Sequence, residues 1–445
     1  MDFLPHTSAD VEAMLAAVGV DRVADLFAPI PERFLRDRDL ALPPALTEPE
    51  LVAHMGELAR GAEGAAALTC FAGGGAYDHH VPAAVRALAG RAEFATSYTP
   101  YQPELSQGVL QALYEFQTAL CEIFGMEVAN ASLYDGANAL VEGVNLAVRA
   151  RGRERVLVSE GVHPHYRAVL QTYTSGLGLE IVTVPLGERA ATRWDDVDAD
   201  GSAAVVWAYP NFLGALEPSP AELAHDHGAL AVAVADPTAM GVLASPGQLG
   251  ADVAVGEGQG LGNGLVYGGP YVGLFATKLA LVRQVPGRIA GATTDADGRR
   301  AYVLTLQARE QHIRRAKATS NVCTNQTLMA IAALVHLCWL GPDGLERLGR
   351  LCLARTAEAA RALEAVPGCS VRFDGPRFKE LVLETPVEGE RLVQALARRG
   401  FLAGPSLGRW WPELRNCILV ACTERRTGEE IEALAEAVEK ELAEL

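Results

Sequence analysis

Ala251-Asp-Val-Ala-Val-Gly-Glu-Gly-Gln-Gly-Leu-Gly-Asn-Gly-Leu-Val-Tyr-Gly-Gly-Pro-Tyr-Val-Gly273 is the stretch on which the reading of this chain turns. A short apolar strand is expected over Val253–Val255, then a glycine-dense loop, then a second apolar strand over Tyr267–Ala276. Just upstream, the apolar run Ala229–Ala235 delivers Asp236 at its C-terminal end. A carboxylate closing one buried strand, with a glycine loop after the next, is a pattern in which backbone and charge converge on one ligand.

Outward from this stretch, short apolar runs alternate with helical periods, the signature of a mostly parallel sheet covered by helices. Strands are expected at Val128–Ala131, Arg155–Val158, Ile181–Pro185, Ala203–Ala208, Ala229–Ala235, Val253–Val255 and Tyr267–Ala276. Helices are expected near 137–150, 163–175 and 219–227. The clearest is Glu104–Phe124, where Leu113, Phe116, Leu120 and Ile123 form an apolar stripe and Gly125 ends it. This predicts an α/β fold with a mostly parallel seven-stranded sheet in residues 65–320. Residues 1–64 read as a helical arm, with Val11–Val18 continuing into Asp21–Phe27 and a second helix over Thr47–Arg60. A helical stretch from Leu304 to about Arg361 links to a small C-terminal α+β domain, so that 321–445 holds the linking helix and that domain. There Ser370–Phe373, Glu380–Glu384 and Cys417–Ala421 read as strands, Glu388–Arg399 and Gly428–Leu445 as helices.

The 445 residues carry 49% hydrophobic and 21% charged side chains, which fits an ordered globular protein. The net charge of −17 argues against nucleic acid as a partner. No uninterrupted apolar run reaches the roughly 18 residues of a membrane span. The first residues lack a signal-peptide pattern, so the expectation is a cytoplasmic protein with its eight cysteines reduced and mostly buried. No metal-ligand spacing is present among them. Lysines are few: Lys278, Lys317, Lys379 and Lys440.

Asn130-Ala-Ser-Leu-Tyr-Asp-Gly-Ala-Asn138 leaves one strand and opens a helix, so Asp135, Gly136 and Asn138 sit where backbone N–H groups receive an anion. A plain βα turn looks the same. Ser159-Glu-Gly-Val-His-Pro-His165 follows the next strand and offers His163 as a ring, or simply as a helix cap. With Asp236 and the glycine loop, these pieces come in the order of a pyridoxal phosphate (PLP) site and resemble PLP enzymes of the aspartate-aminotransferase-like PLP-dependent transferase fold. In that fold the Asp pairs with the pyridinium nitrogen and a loop lysine forms the Schiff base. Here the loop offers Gln259, whose amide nitrogen has no nucleophilic lone pair. Glu257 adds a carboxylate where the phosphate would lie; like charges about 4 Å apart repel by roughly 4 kcal/mol at an effective dielectric near 20. The expectation is a degenerate PLP site of Asp135, Gly136, Asn138, His163, Asp236 and Gln259, with a PLP enzyme built on Lys278 or Lys317 as the alternative.

Two further stretches stand out. Thr96–Gly108 carries two tyrosines, two glutamines and hydroxyls on a loop stiffened by Pro100 and Pro103, suited to a ligand or partner; its plain alternative is a buried inter-domain loop. Arg309–Thr324 reads as a charged helix with a solvated face, ending in a hydroxyl-rich turn.

Ser97-Tyr-Thr-Pro-Tyr-Gln-Pro-Glu, Gln107-Gly-Val-Leu-Gln-Ala-Leu, Ala131-Ser-Leu-Tyr-Asp-Gly-Ala, Pro286-Gly-Arg-Ile, Gln307-Ala-Arg-Glu-Gln-His-Ile-Arg-Arg and Lys317-Ala-Thr-Ser-Asn-Val-Cys-Thr together resemble glycine dehydrogenase (decarboxylating), the P-protein of the glycine cleavage system. The likeness runs end to end with the N-terminal half of that family, made in some bacteria as a separate subunit 1. It implies an α2β2 heterotetramer with glycine dehydrogenase subunit 2, which carries the PLP and its lysine in a His-Lys-Thr motif. It also implies decarboxylation of glycine with transfer of the aminomethyl group to the lipoyl arm of the H-protein. Aligned on Gly268-Gly-Pro270, Gln259 falls at the lysine position. On this reading Tyr98, Tyr101 and Gln102 contribute to the partner's active site; the competing reading is a scaffold that only stabilises its partner.

Overall fold

The computed structural model describes residues 5–36, 40–62, 67–96 and 98–444. They divide into two compact units, 1–62 and 63–445. The boundary at 64/65 and Ser97 of the polar loop lie outside the described residues.

In the first unit, helix Ser8–Val18 opens on a capping box in which Thr7 and Asp10 satisfy each other's backbone N–H groups. Gly19 ends it in the left-handed region at φ 82°. The expected continuation through Asp21–Phe27 is therefore broken, and Val23–Phe27 is a separate 3-10 segment. Helix Glu48–Arg60 opens on a second capping box from Thr47 and Glu50.

The second unit is built on a seven-stranded sheet. Its spatial order is Val128–Ala129, Gly273–Thr277, Val253–Glu257, Leu230–Ala235, Ser202–Tyr209, Arg155–Ser159 and Glu180–Val184. Gly273–Thr277 runs antiparallel to both neighbours and the rest run parallel. Strands buried on both faces read as continuous apolar runs, which is why they are visible in the sequence. Alternation still divides them. Val205, Trp207 and Tyr209 join the cluster containing Phe116 and Leu120 of helix Gln107–Phe124. Ala204, Val206 and Ala208 join the opposite cluster with Leu140 and Val144 of helix Gly136–Arg151.

Three local expectations change. The strand expected over Tyr267–Ala276 pairs only from Gly273, because Val266–Gly268 turns as a 3-10 segment and Gly269 follows at φ 143°. The helical stretch expected from Leu304 starts only at Thr327: Leu304 and Thr305 instead end the second arm of a hairpin, Ile289–Thr294 against Arg300–Thr305, and only short turns lie between. The hairpin's own turn is closed by the Asp295 carboxylate, which accepts the N–H groups of Asp297 and Arg299. Helix Thr327–Glu364 follows, interrupted at Gly341 (φ 62°) ahead of Pro342, which cannot donate to the preceding turn. It is long and apolar enough to cross a membrane, yet Ala330, Ile331 and Ala333 pack into the core beneath the sheet.

Toward the C-terminus, Ser370–Val371, Glu380–Glu384 and Cys417–Ala421 form an antiparallel sheet covered by helices Gly389–Arg398 and Gly428–Glu444. Beside it, Thr69–Ala72 pairs in parallel with Phe401–Gly404. Four of the cysteines are buried, and Cys323 and Cys338 are exposed.

Candidate functional site

Asp236 and Glu257 leave neighbouring parallel strands at the C-terminal edge of the sheet, where open α/β sheets hold their ligands. Between them lies a cavity of about 80 Å³ lined by Tyr77, His163, Tyr166, Asp236, Glu257 and Lys379 among others.

Asp236 does not face open space. One carboxylate oxygen accepts the Thr238 N–H at 2.9 Å and the Thr238 hydroxyl at 2.7 Å. The other lies 2.6 Å from the Lys379 ammonium. Lys379 is 1% exposed, 3.2 Å from both Thr238 Oγ1 and His79 Nε2, and 3.5 Å above the centre of the Tyr77 ring. Burial pushes the Asp236 carboxyl up, but the charge and hydrogen bond of Lys379 outweigh it and hold the group below its usual range. The chain of charge continues: His79 Nδ1 meets a Glu424 carboxylate oxygen at 2.7 Å, and the other Glu424 oxygen accepts the His80 N–H at 2.6 Å. Burial raises the Glu424 carboxyl, yet its contacts with His79 bring it down to about 2. His79, Cys352 and Glu424 have the spacing to hold a metal. Both His79 nitrogens and both Glu424 oxygens are already engaged, so these residues do not fit one.

Glu257 lies against the start of helix Gly136–Arg151. One of its oxygens accepts the Gly136 N–H at 2.9 Å; the other accepts those of Gln259 at 3.0 Å and Val272 at 3.1 Å. Asp135 caps the same helix by accepting the Asn138 N–H at 2.7 Å. Burial pushes the Glu257 carboxyl up to about 8 against the pull of these donors. These three donors favour the carboxylate form, so they oppose the burial and bind a protonated Glu257 less strongly.

His163 caps its own helix: Nδ1 accepts the His165 N–H at 3.0 Å, which leaves Nε2 to donate to the Gly74 carbonyl at 2.8 Å. Burial keeps this neutral ring down at about 4. One face of it stacks on Tyr166, centroids 4.8 Å apart and planes 13° from parallel.

Gln259 is a clamp. Its amide oxygen accepts the Tyr77 N–H at 2.8 Å, and its nitrogen donates to the carbonyls of Tyr77 at 3.0 Å and Asn263 at 2.8 Å.

Of the six expected residues, His163 and Asp236 line the cleft, Gly136 and Gln259 adjoin it through their N–H groups on Glu257, and Asp135 and Asn138 stand behind it at the helix start; the residues there do not fit PLP. Position 259 offers no amine, and Glu257 occupies the anion seat at the helix start. Asp236 already has its cation, and the face of His163 is covered. Neither alternative lysine is near: Lys278 pairs with Asp252 at 2.6 Å, and Lys317 sits on an exposed 3-10 turn. Reasoning from sequence passed over Lys379, Tyr166, Tyr77 and His79. The one available signal was the scarcity of lysine, which makes any lysine between apolar strands conspicuous.

Tyr98, Tyr101 and Gln102 line a different feature, an open groove of about 1000 Å³ shared with Arg91, Phe94 and Leu105. The loop is not buried, since Tyr98 is 81% and Tyr101 52% exposed. Tyr101 is nonetheless held. Buried Arg288 donates to its hydroxyl at 3.2 Å, and also to the Cys323 carbonyl, Thr324 Oγ1 and Asn325 Oδ1. The charged helix expected over Arg309–Thr324 is reduced to single turns, and its solvated face fails at Arg309. That side chain is buried and donates to the carbonyls of Val285, Leu306 and Gly287.

Sheet order, the helix start facing the cleft and Asp236 at its strand end define a PLP-dependent transferase fold. The fold is shared, at 15% and 16% identity, with a sphingosine-1-phosphate lyase from Burkholderia pseudomallei (TM-score 0.64) and a cysteine desulfurase from Thermococcus onnurineus (TM-score 0.61). Within that fold, the chain belongs to the glycine cleavage system P-protein family, whose model matches residues 1–438. It is 47% identical to the probable glycine dehydrogenase (decarboxylating) subunit 1 of Moorella thermoacetica, covering 100% of both chains. It is 48% identical to that of Desulforamulus reducens, covering 98% of each. A crystal structure of glycine decarboxylase (P-protein) of the glycine cleavage system in inhibitor-bound form matches with a TM-score of 0.91 at 47% identity, over 99% of this chain and 100% of that one.

Proposed function

We propose that this chain is the lysine-less subunit 1 of a two-subunit glycine decarboxylase. PLP sits on subunit 2, in an α2β2 assembly in the cytoplasm, and the aminomethyl group passes to the lipoyl arm of an H-protein. The chain by itself is inactive. The single observation that carries this reading is that its own cleft is filled: Asp236 is paired with Lys379, and Glu257 covers the helix start. Its contribution to catalysis is the 97–108 loop. Tyr98 and Tyr101 are exposed aromatic groups on a proline-stiffened loop, Tyr101 is anchored by Arg288, and together with Gln102 they face an open groove. Such a rigid, polar and aromatic loop suits the lining of a partner's active site.

Expression of the chain with and without subunit 2 tests the first part: PLP is expected only in the complex, on the partner. Tyr98→Phe and Tyr101→Phe in the reconstituted complex test the second. A fall in glycine–bicarbonate exchange with assembly intact is expected. Unchanged exchange sinks the loop's role and favours the scaffold reading.

A further inference from the structure

We propose that three of this chain's own side chains stand in the place of the ligand its cleft is shaped for, a phosphate ester of a pyridine. They are the Tyr166 ring on His163, the Lys379 ammonium on Asp236, and the Glu257 carboxyl on the first turn of helix Gly136–Arg151. A pyridine phosphate presents three features to a site: a flat ring, a protonated ring nitrogen and an anion. The ring and the cation each have a counterpart, and the anion's hydrogen-bond donor is taken by a carboxyl, the three groups coming from different elements. The ring of Tyr166 lies nearly parallel to His163 at 4.8 Å, within the range of offset stacking. The Lys379 ammonium meets Asp236 at 2.6 Å, as a pyridinium N–H would. Glu257 accepts the Gly136 N–H at 2.9 Å, the kind of donor a phosphate takes at a helix start.

Two backbone features show that the substitution is built in. Gly136 has no side chain to spare, since a Cβ there would lie 2.3 Å from the Tyr166 hydroxyl. Lys379 is held at φ 61°, a left-handed conformation that a lysine keeps only where its surroundings fix it. The space left over is about 80 Å³, well below the roughly 300–1,000 Å³ of small-molecule sites. The cleft is thus completed during folding by the chain itself and needs no cofactor to hold it together.

This deepens the reading that the chain carries no PLP, and it is tested apart from the partner's chemistry by direct binding to the full chain. The probe is pyridoxamine 5′-phosphate, whose amine forms no aldimine with lysine. The triple variant Tyr166→Ala, Glu257→Ser, Lys379→Met removes all three groups. It is expected to bind the probe saturably, at least about tenfold more tightly than the natural chain, and to melt higher in its presence. Adding Asp236→Ala is expected to abolish the gain. A folded triple variant that ignores the probe overturns the proposal. Should the triple variant not fold even with the probe, Glu257→Ser alone decides, because it keeps both the Lys379–Asp236 pair and the Tyr166–His163 stack. Inorganic phosphate is then expected to raise its melting temperature and not that of the natural chain. No response to phosphate overturns the proposal. Glycine–bicarbonate exchange with subunit 2, measured on the same variants, reports separately on the subunit's role.

Discussion

Gln259 and Tyr77 grip each other at both ends: the glutamine amide accepts from the Tyr77 N–H at 2.8 Å and donates to the Tyr77 carbonyl at 3.0 Å. Gln259 is therefore a splice between the glycine loop and the segment leading to His79. Gln259→Lys is expected to yield no borohydride-fixable aldimine, because an ammonium cannot accept from the Tyr77 N–H and Glu257 still fills the anion seat. Gln259→Ala leaves several buried backbone groups unpaired and should cost about 2–4 kcal/mol in denaturant unfolding. A PLP adduct on Gln259→Lys, or an unchanged unfolding midpoint for Gln259→Ala, contradicts this.

Lys379→Met leaves Asp236 buried without a cation, a loss of about 3–5 kcal/mol. In the natural chain the Asp236 carboxyl is held below its usual value, so its stabilising contribution is present above about pH 4 and is lost on acidification below that. In the variant the same carboxyl is raised, so the sign reverses: the penalty is small in acid and grows as pH rises. Melting curves of both chains across acidic and neutral pH should show the gap between them widening toward neutrality. A constant gap would mean that Lys379 acts only by packing.

Glu257, raised to about 8, keeps its proton in the folded chain where the unfolded chain, at about 4.3, has released it. The native state binds the extra proton, so this group's contribution is complete below pH of about 4.3 and disappears as pH rises through about 8. Glu257→Gln should flatten that part of the fall in melting temperature while leaving acid unfolding as it was. A slope that survives the substitution assigns it to other groups.

Arg288 holds Tyr101 through the same guanidinium that binds the Cys323 carbonyl and Asn325. Lysine keeps the charge but cannot span these directions. Arg288→Lys in the reconstituted complex is expected to lower exchange about tenfold or more, since small displacements of a positioning group weigh heavily on rate. Gel filtration should show assembly retained. Full activity would detach Tyr101 from catalysis.

What the sequence made legible follows from locality. Asp236 and Glu257 end apolar strands, and Asp135 begins a helix three residues before Asn138, so each was visible from its neighbours. The placement of Glu257 against the anion seat follows from the same strand register. Lys379 was hidden because nothing local marks it: it precedes a strand that reads as part of a separate small domain, and only tertiary packing carries it to Asp236. Tyr166 was hidden for a different reason. On helix Pro164–Thr174 it reads as one more aromatic residue, and its stacking depends on the rotamer of a histidine three residues earlier. The hairpin Ile289–Thr294 with Arg300–Thr305 was lost because its arms mix threonine, alanine and arginine without clear alternation.

The strand Thr69–Ala72 and the residues Tyr77 and His79 leave the ribosome well before their partners Phe401–Gly404 and Glu424. Until then the early strand has an open edge, and Asp236 waits for the lysine that neutralises it. A nascent chain that has not yet reached Lys379 and Phe401–Gly404 carries an unpaired carboxylate and an exposed edge. Truncation before residue 424 should therefore leave a chain that is captured by chaperones or aggregates.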